Sequence, residues 1–175
     1  MQQNHKKGLK PYVLTAMFAA LIFLVTAYVL HIPTPATGGY IHLGDAFLYL
    51  AASILPSPLA VAAGGIGEAL SDLLTGGAVY ALPTLLIKSA MVLCFAQTGK
   101  SIVSRRNIFA SVGAGVICIA GYYLTEAVIY RSFLTPLAEI PANLVQAGAS
   151  AVIYVILGNA LDRLRVKEQL SELFY

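Results

Sequence analysis

Charge is what this sequence has least of: 11% of its 175 residues are Asp, Glu, Lys or Arg, against roughly 25% in a soluble domain. With 58% hydrophobic residues and a mean hydropathy of +0.78, that scarcity excludes a soluble catalytic or nucleic-acid-binding domain and describes a polytopic membrane protein. Cysteine is nearly missing too. Cys94 and Cys118 both fall inside apolar stretches, where packing explains them better than a disulfide or a metal pair. No His-x-x-x-His, Glu-x-x-x-His or Gly-x-Ser-x-Gly pattern occurs, and the three histidines all stand outside the apolar runs, which argues against an intramembrane hydrolase. A Gly-rich phosphate cradle is also missing, so the chain does not hydrolyse ATP. We expect no enzyme activity, catalytic residue, cofactor, metal or nucleic-acid partner.

What is present is a series of apolar runs. The length suits one integral membrane domain, residues 1–175, with five or six spans of about 20 residues each. The expected fold is all-α, a compact bundle of six transmembrane helices over about 12–30, 41–55, 59–74, 82–98, 108–130 and 143–161. The first run is 19 residues long, longer than the roughly 7–15 apolar residues of a signal peptide. Residues 31–44, HIPTPATGGYIHLG, carry two prolines, three glycines and two histidines and read as a hinged gating loop. The turn Pro56-Ser57-Pro58 separates the second and third helices. Pro83 opens the fourth, and Gly99-Lys100 ends it. Residues 162–175 read as a charged amphipathic tail.

Basic residues orient the bundle. Nine of the eleven Lys and Arg (Lys6, Lys7, Lys10, Lys100, Arg105, Arg106, Arg163, Arg165 and Lys167) fall on the flanks that share a side with the termini. The positive-inside rule then predicts a multi-pass cell-membrane protein with both termini cytoplasmic. Depth counted at about 1.5 Å per residue places most polar residues in the outer half: Asp72, Lys88, Tyr122, Tyr123, Glu126, Asn143 and Gln146, with Tyr40 and His42 in the adjoining loop. Tyr122 and Glu126 share a helix face, as do Asn143 and Gln146. The inner half is expected to hold almost no polar groups. Such convergence suits a pocket for a polar small molecule.

The costliest stretch is Gly64 to Lys88. Three intramembrane charges there, Glu68, Asp72 and Lys88, carry an insertion cost on the order of 7–10 kcal/mol unless paired or wetted. Glu68 and Asp72 lie four apart on one face, and the expected arrangement is an acid pair facing Lys88. A structural ion pair and a ligand-lining role both remain open, as does proton-coupled carriage by Glu68 and Asp72 in a stand-alone carrier. A non-transport structural membrane subunit would leave the outer polar cluster without a purpose. Four acids on the outer side, Glu68, Asp72, Glu126 and Glu139, stand against Lys88 and Arg131, which favours an amine-bearing or hydrogen-donating ligand over a di-anion.

Several segments together resemble a known family. These are Ala16-x-x-x-Ala20, the Gly39-Tyr40-Ile41-His42-Leu43-Gly44-Asp45 lead-in to the second span, Glu68-x-x-x-Asp72 followed by Gly76, Pro83-Thr84 with Lys88, and Pro141-x-Asn143-x-x-Gln146. The ordered set is similar to the substrate-binding S components of energy-coupling factor (ECF) importers, closest to the riboflavin-type branch of uncertain substrate. The resemblance implies a subunit that captures a small water-soluble micronutrient outside the cell, such as a queuosine precursor, a thiamine precursor or another B vitamin. Its expected partners are a transmembrane coupling subunit and two cytoplasmic ATPases. It implies ligand contacts from Tyr40, His42, Lys88, Tyr122, Glu126, Asn143 and Gln146, with Glu68 and Asp72 on a helix that often packs behind the pocket. Ala16 and Ala20 would lie on the docking face.

Overall fold

The computed structural model describes residues 8–34, 37, 39–97, 99–171 and 174. Its long helices are α1 Lys10–Tyr28, α2 Gly44–Ile54, α3 Ser57–Thr75, α4 Ala81–Leu93, α5 Arg105–Ile129 and α6 Ile140–Arg163, followed by a short α7, Val166–Ser171. A 3-10 turn, Thr135–Glu139, leads into α6. Proline sets several starts, because its missing N–H falls where a helix has no acceptor for it: α1, α3 and α6 each carry one at the first or second position. The hydroxyl of Ser104 caps α5 by accepting from Asn107 N–H at 3.2 Å. Gly76, at φ +96°, ends α3 in the left-handed region that glycine enters without strain.

Among the described residues, three helices are long and apolar enough to cross a membrane: α1, α5, and the stretch from Thr135 to Arg163 that contains α6. A third or less of the apolar window of each is buried within the protein. Leu24, Phe109, Val116, Leu124, Val128 and Val152 point outward among many other large apolar side chains, a surface suited to lipid. α2 is the opposite case. It has only 11 residues, about 16 Å of helix at the standard rise, yet every residue except Phe47 is buried. A helix apolar on all sides belongs inside, and α1, α3, α4 and α6 all pack against it. Tyr49 of α2 stacks on Phe95 at 5.1 Å, and both meet Tyr154 of α6 edge-on.

Close approach of α1 and α3 depends on a small residue. A side chain at Gly67 would start 2.8 Å from the carbonyl oxygen of Ala19. The Thr15 and Ala19 flank of α1 is therefore the one engaged within the bundle, whereas Ala16 and Ala20 are exposed.

Boundaries moved where tertiary contacts override the local pattern. α2 begins at Gly44 rather than 41, because Tyr40–Ile41 pair as an antiparallel strand with Ile32–Pro33. α4 stops at Leu93 rather than 98. Phe95 turns into the aromatic cluster, and the side chain of Asn107 binds both peptide groups of Ala96, accepting from its N–H at 3.0 Å and donating to its carbonyl at 3.1 Å. α6 runs on to Arg163, and Asp162 within it accepts from Ile102 N–H at 2.7 Å and Val103 N–H at 3.0 Å. α7 folds back against α2, with Lys167 buried and donating to Ser101 O at 3.3 Å. The terminus-bearing half also corrects the expectation of an almost apolar interior. Ser53, Asn107 and Tyr154 are buried there, and they bond one another and the carbonyl of Ile102.

At the other half the central charge pair closes the core. Lys88 Nζ, fully buried on α4, donates to Asp45 Oδ1 on α2 at 2.5 Å, and Gln146 of α6 donates to Asp45 Oδ2 at 2.8 Å. The acid facing Lys88 is thus Asp45, and not the expected pair Glu68 and Asp72. Removing one member of a buried ion pair strands the other charge, at a cost of about 3–5 kcal/mol. Asp45→Asn and Lys88→Met should each destabilise by about that amount, and the double variant should recover most of the loss in thermal unfolding of the detergent-solubilised protein. A double variant as unstable as the sum of the two singles would show that the charges are not coupled.

Candidate functional site

Next to the Lys88–Asp45 pair, the ends of the helices line a cavity of about 40 Å³, enough for a few water molecules. Its walls come from across the chain. Gly39, Tyr40 and His42 belong to the strap before α2, and Glu68 and Asp72 to α3. Tyr80 precedes α4, Tyr122 and Glu126 belong to α5, and Glu139, Asn143 and Gln146 lie at the start of α6. Eight of the nine residues expected to surround a ligand therefore share one cavity: Tyr40, His42, Glu68, Asp72, Tyr122, Glu126, Asn143 and Gln146. Glu68 and Asp72 line it rather than packing behind it. Lys88 does not line it. Its ammonium sits below, paired with Asp45 and 5.6 Å from the centre of the Tyr122 ring.

Each wall is held by identifiable bonds. Gln146 has both ends of its amide engaged: Oε1 accepts from His42 N–H at 3.1 Å while Nε2 donates to Asp45. His42 Nδ1 accepts from Gly44 N–H at 3.1 Å. A backbone N–H can only donate, so Nδ1 carries no proton, the ring is neutral and its proton sits on Nε2. That Nε2 lies 3.5 Å from Glu68 Oε2, a contact too long for a strong bond. Tyr40 donates from its phenol to Asp72 Oδ1 at 2.7 Å, with Ser71 Oγ at 3.2 Å. Burial and the neighbouring Asp72 carboxylate push the Tyr40 phenol well above its ordinary range, which keeps it a donor. Tyr122 and Thr84 share a hydroxyl bond at 2.9 Å. Tyr123 instead faces away, donating to Phe133 O at 3.0 Å.

The roof is the strap itself. Thr34 N–H donates to Gly39 O at 2.8 Å, closing the small strand pair, and the ring of His31 stacks on Tyr40 with centroids 3.8 Å apart. Two phenols from the surrounding helices grip one backbone oxygen: Tyr80 donates to Thr37 O at 3.0 Å, and Tyr130 donates to the same atom. Residues 35, 36 and 38 of the expected gating loop lie outside the described residues.

Sequence reasoning missed Asp45, Tyr80 and Tyr130. Asp45 carried a usable signal, a carboxylate at the head of an otherwise apolar helix, but read as a boundary residue. The two tyrosines had none, since both stand at helix ends where interface aromatics are ordinary. Among the described residues no group of three or more His, Cys, Asp or Glu side chains has the arrangement of a metal site.

Comparison with known proteins bears on this arrangement. A family model for the ECF-type riboflavin transporter, S component, matches residues 6–163. A Pyrococcus woesei protein, named only as an uncharacterized protein in the gap 3′ region, is 31% identical over 140 residues, spanning 79% of this chain and 93% of its own length. A solved structure, "Structure and mechanism of the S component of a bacterial ECF transporter", superposes with a TM-score of 0.67 over 89% of this chain and 96% of the other. At 16% identity that likeness speaks for the fold. With the family model covering nearly the whole chain, the protein belongs to the ECF-type riboflavin transporter S-component family, the multi-pass membrane subunits that bind substrate for ECF importers and are not enzymes.

Proposed function

We propose that this chain captures a small water-soluble micronutrient from outside the cell and hands it to a coupling subunit driven by two separate ATPases. In this reading six helices span the membrane, both termini are cytoplasmic and the cavity under the strap opens outward. The ligand is a heterocycle, of the kind represented by a queuosine precursor, a thiamine precursor or another B vitamin. The observation that carries the reading is the polar cavity at one end, walled by residues from the strap, α3, α5 and α6 and covered in part by a strap hung on Tyr80 and Tyr130. The opposite end supports capture over conduction, because its buried Ser53, Asn107 and Tyr154 are bonded to one another and to backbone. At about 40 Å³ the cavity is smaller than a vitamin, and in this reading the strap moves aside as a ligand enters. The exposed small residues Ala16 and Ala20 on α1 suit close docking of a partner helix.

Mass spectrometry of small molecules that copurify with the detergent-extracted protein tests the capture role directly. Recovery of a single heterocycle is expected, and recovery of an aliphatic carboxylate such as pantothenate would refute the ligand assignment. Ala16→Trp should leave ligand binding intact and abolish uptake in cells, and normal uptake in that variant would remove Ala16 from the docking face. Replacing both roof phenols, Tyr80→Phe with Tyr130→Phe, should speed ligand dissociation about tenfold, the equivalent of about 1.4 kcal/mol. Stopped-flow release at the wild-type rate would show that these phenols do not latch the strap.

A further inference from the structure

We propose that a recess on one flank of the bundle, between α1 and α6, binds a single anionic phospholipid, with an acyl chain laid along it and the headgroup at the terminus-bearing end. This goes beyond the capture role and does not depend on it. The recess has a volume of about 560 Å³, against about 40 Å³ for the polar cavity. α2 forms its floor, where Phe47, the one residue of that helix left partly open, lies with Ile54. Met17 and Leu21 stand on the α1 side, and Leu157 and Ala160 on the α6 side. Val166 and Leu170 of α7 bound the terminus-bearing end.

The lining selects the occupant. Helices that associate within a bilayer pack through small residues that let their backbones approach. Here every lining residue except Ala160 is Leu, Ile, Val, Met or Phe, bulky side chains that conform to a flexible alkyl chain, which needs no fixed register. The flank of α1 concerned is also separate from Ala16 and Ala20, because residues 14, 17, 18 and 21 recur at the three- and four-residue spacing of another face. The sign of the headgroup follows from what stands at the end of the recess. Lys10, exposed at the start of α1, lines a second hollow that shares Leu14 and Met17 with the first. Arg163 and Arg165 are exposed at the corner between α6 and α7, between the lining residues Leu161 and Val166 in the chain. Of the acids there, Asp162 is engaged by the backbone N–H groups of Ile102 and Val103, and Glu168 lines a different hollow together with Lys100 and Lys167. Basic residues just beyond apolar spans attract anionic headgroups, and their long stems cover apolar surface while the charge stays at the interface.

The test is native mass spectrometry of the full-length protein released from nanodiscs that hold equal amounts of phosphatidylglycerol and phosphatidylcholine with the same acyl chains. One retained phospholipid per chain is expected, phosphatidylglycerol being favoured about fivefold. Ala160→Trp sets an indole into the recess from an exposed position and should empty it, with the melting temperature unchanged. Val116→Trp, on the outward face of α5, should leave retention as in the wild type and controls for loosely held surrounding lipid. Lys10→Gln combined with Arg163→Gln should keep a lipid bound but bring the two headgroups to near parity. Equal retention of both headgroups by the wild type would overturn the anionic assignment. Retention by Ala160→Trp equal to that of the wild type would overturn the site, and uptake lost in the same variant would give the recess to the coupling subunit. A wild-type dimer without retained lipid, dissolved by Ala160→Trp, would give it to a second copy of the chain.

Discussion

Lys88 and Asp45 meet in the middle of an apolar bundle, and the structure above them depends on that meeting. Either charge alone would cost several kcal/mol in such surroundings. Paired at 2.5 Å, they tie α4 to α2, and Gln146 extends the tie to α6 through the second oxygen of Asp45. The same amide steadies the strap by accepting from the backbone of His42. One continuous polar chain thus fixes three helices and the edge of the roof. The hydrogen-bonded partner of its ammonium is thus Asp45 and not one of the acids that line the cavity.

The two ends of the bundle handle buried polarity in opposite ways. Around Asn107, Ser53 and Tyr154 the groups bond one another and the backbone, a network that stiffens that end. Glu68, Asp72 and Glu126 each keep one buried oxygen without a hydrogen-bond partner among the described residues. Buried polar groups in native proteins almost always find partners, and most of those without one among the described residues, Tyr49 and Ser150 aside, lie near the strap end. Family membership fits a substrate-binding role for the protein.

Much of this was legible in the sequence. The composition gave the membrane class, and hydrophobic runs located all six long helices to within a few residues at most ends. Counting depth from the helix boundaries grouped Tyr40, His42, Glu126, Asn143 and Gln146 before any coordinates. What local reading could not supply was pairing at a distance. Asp45 precedes Lys88 by 43 residues, and its one signal, a carboxylate heading an apolar helix, does not name a partner, whereas Glu68 and Asp72 stood in the same short stretch as the lysine and drew the assignment. The early end of α4 has the same origin, because the side chain that replaces its lost helical bonds, Asn107, is 11 residues further on. Likewise the roof tyrosines became visible only once both were seen on the carbonyl of Thr37.

The short, fully enclosed α2 also bears on how the protein is made. At about 16 Å it falls short of the roughly 30 Å hydrocarbon core, and it opens with a carboxylate, so it is a poor candidate to enter the bilayer alone. Only Leu55 and Pro56 separate it from α3, and the two can enter together as a hairpin. Asp45 then has no counter-charge until translation has delivered α4. Assembly therefore has a built-in order, in which the helix that ends at the centre of the bundle is among the first synthesised and has to wait for a lysine made later before it can settle.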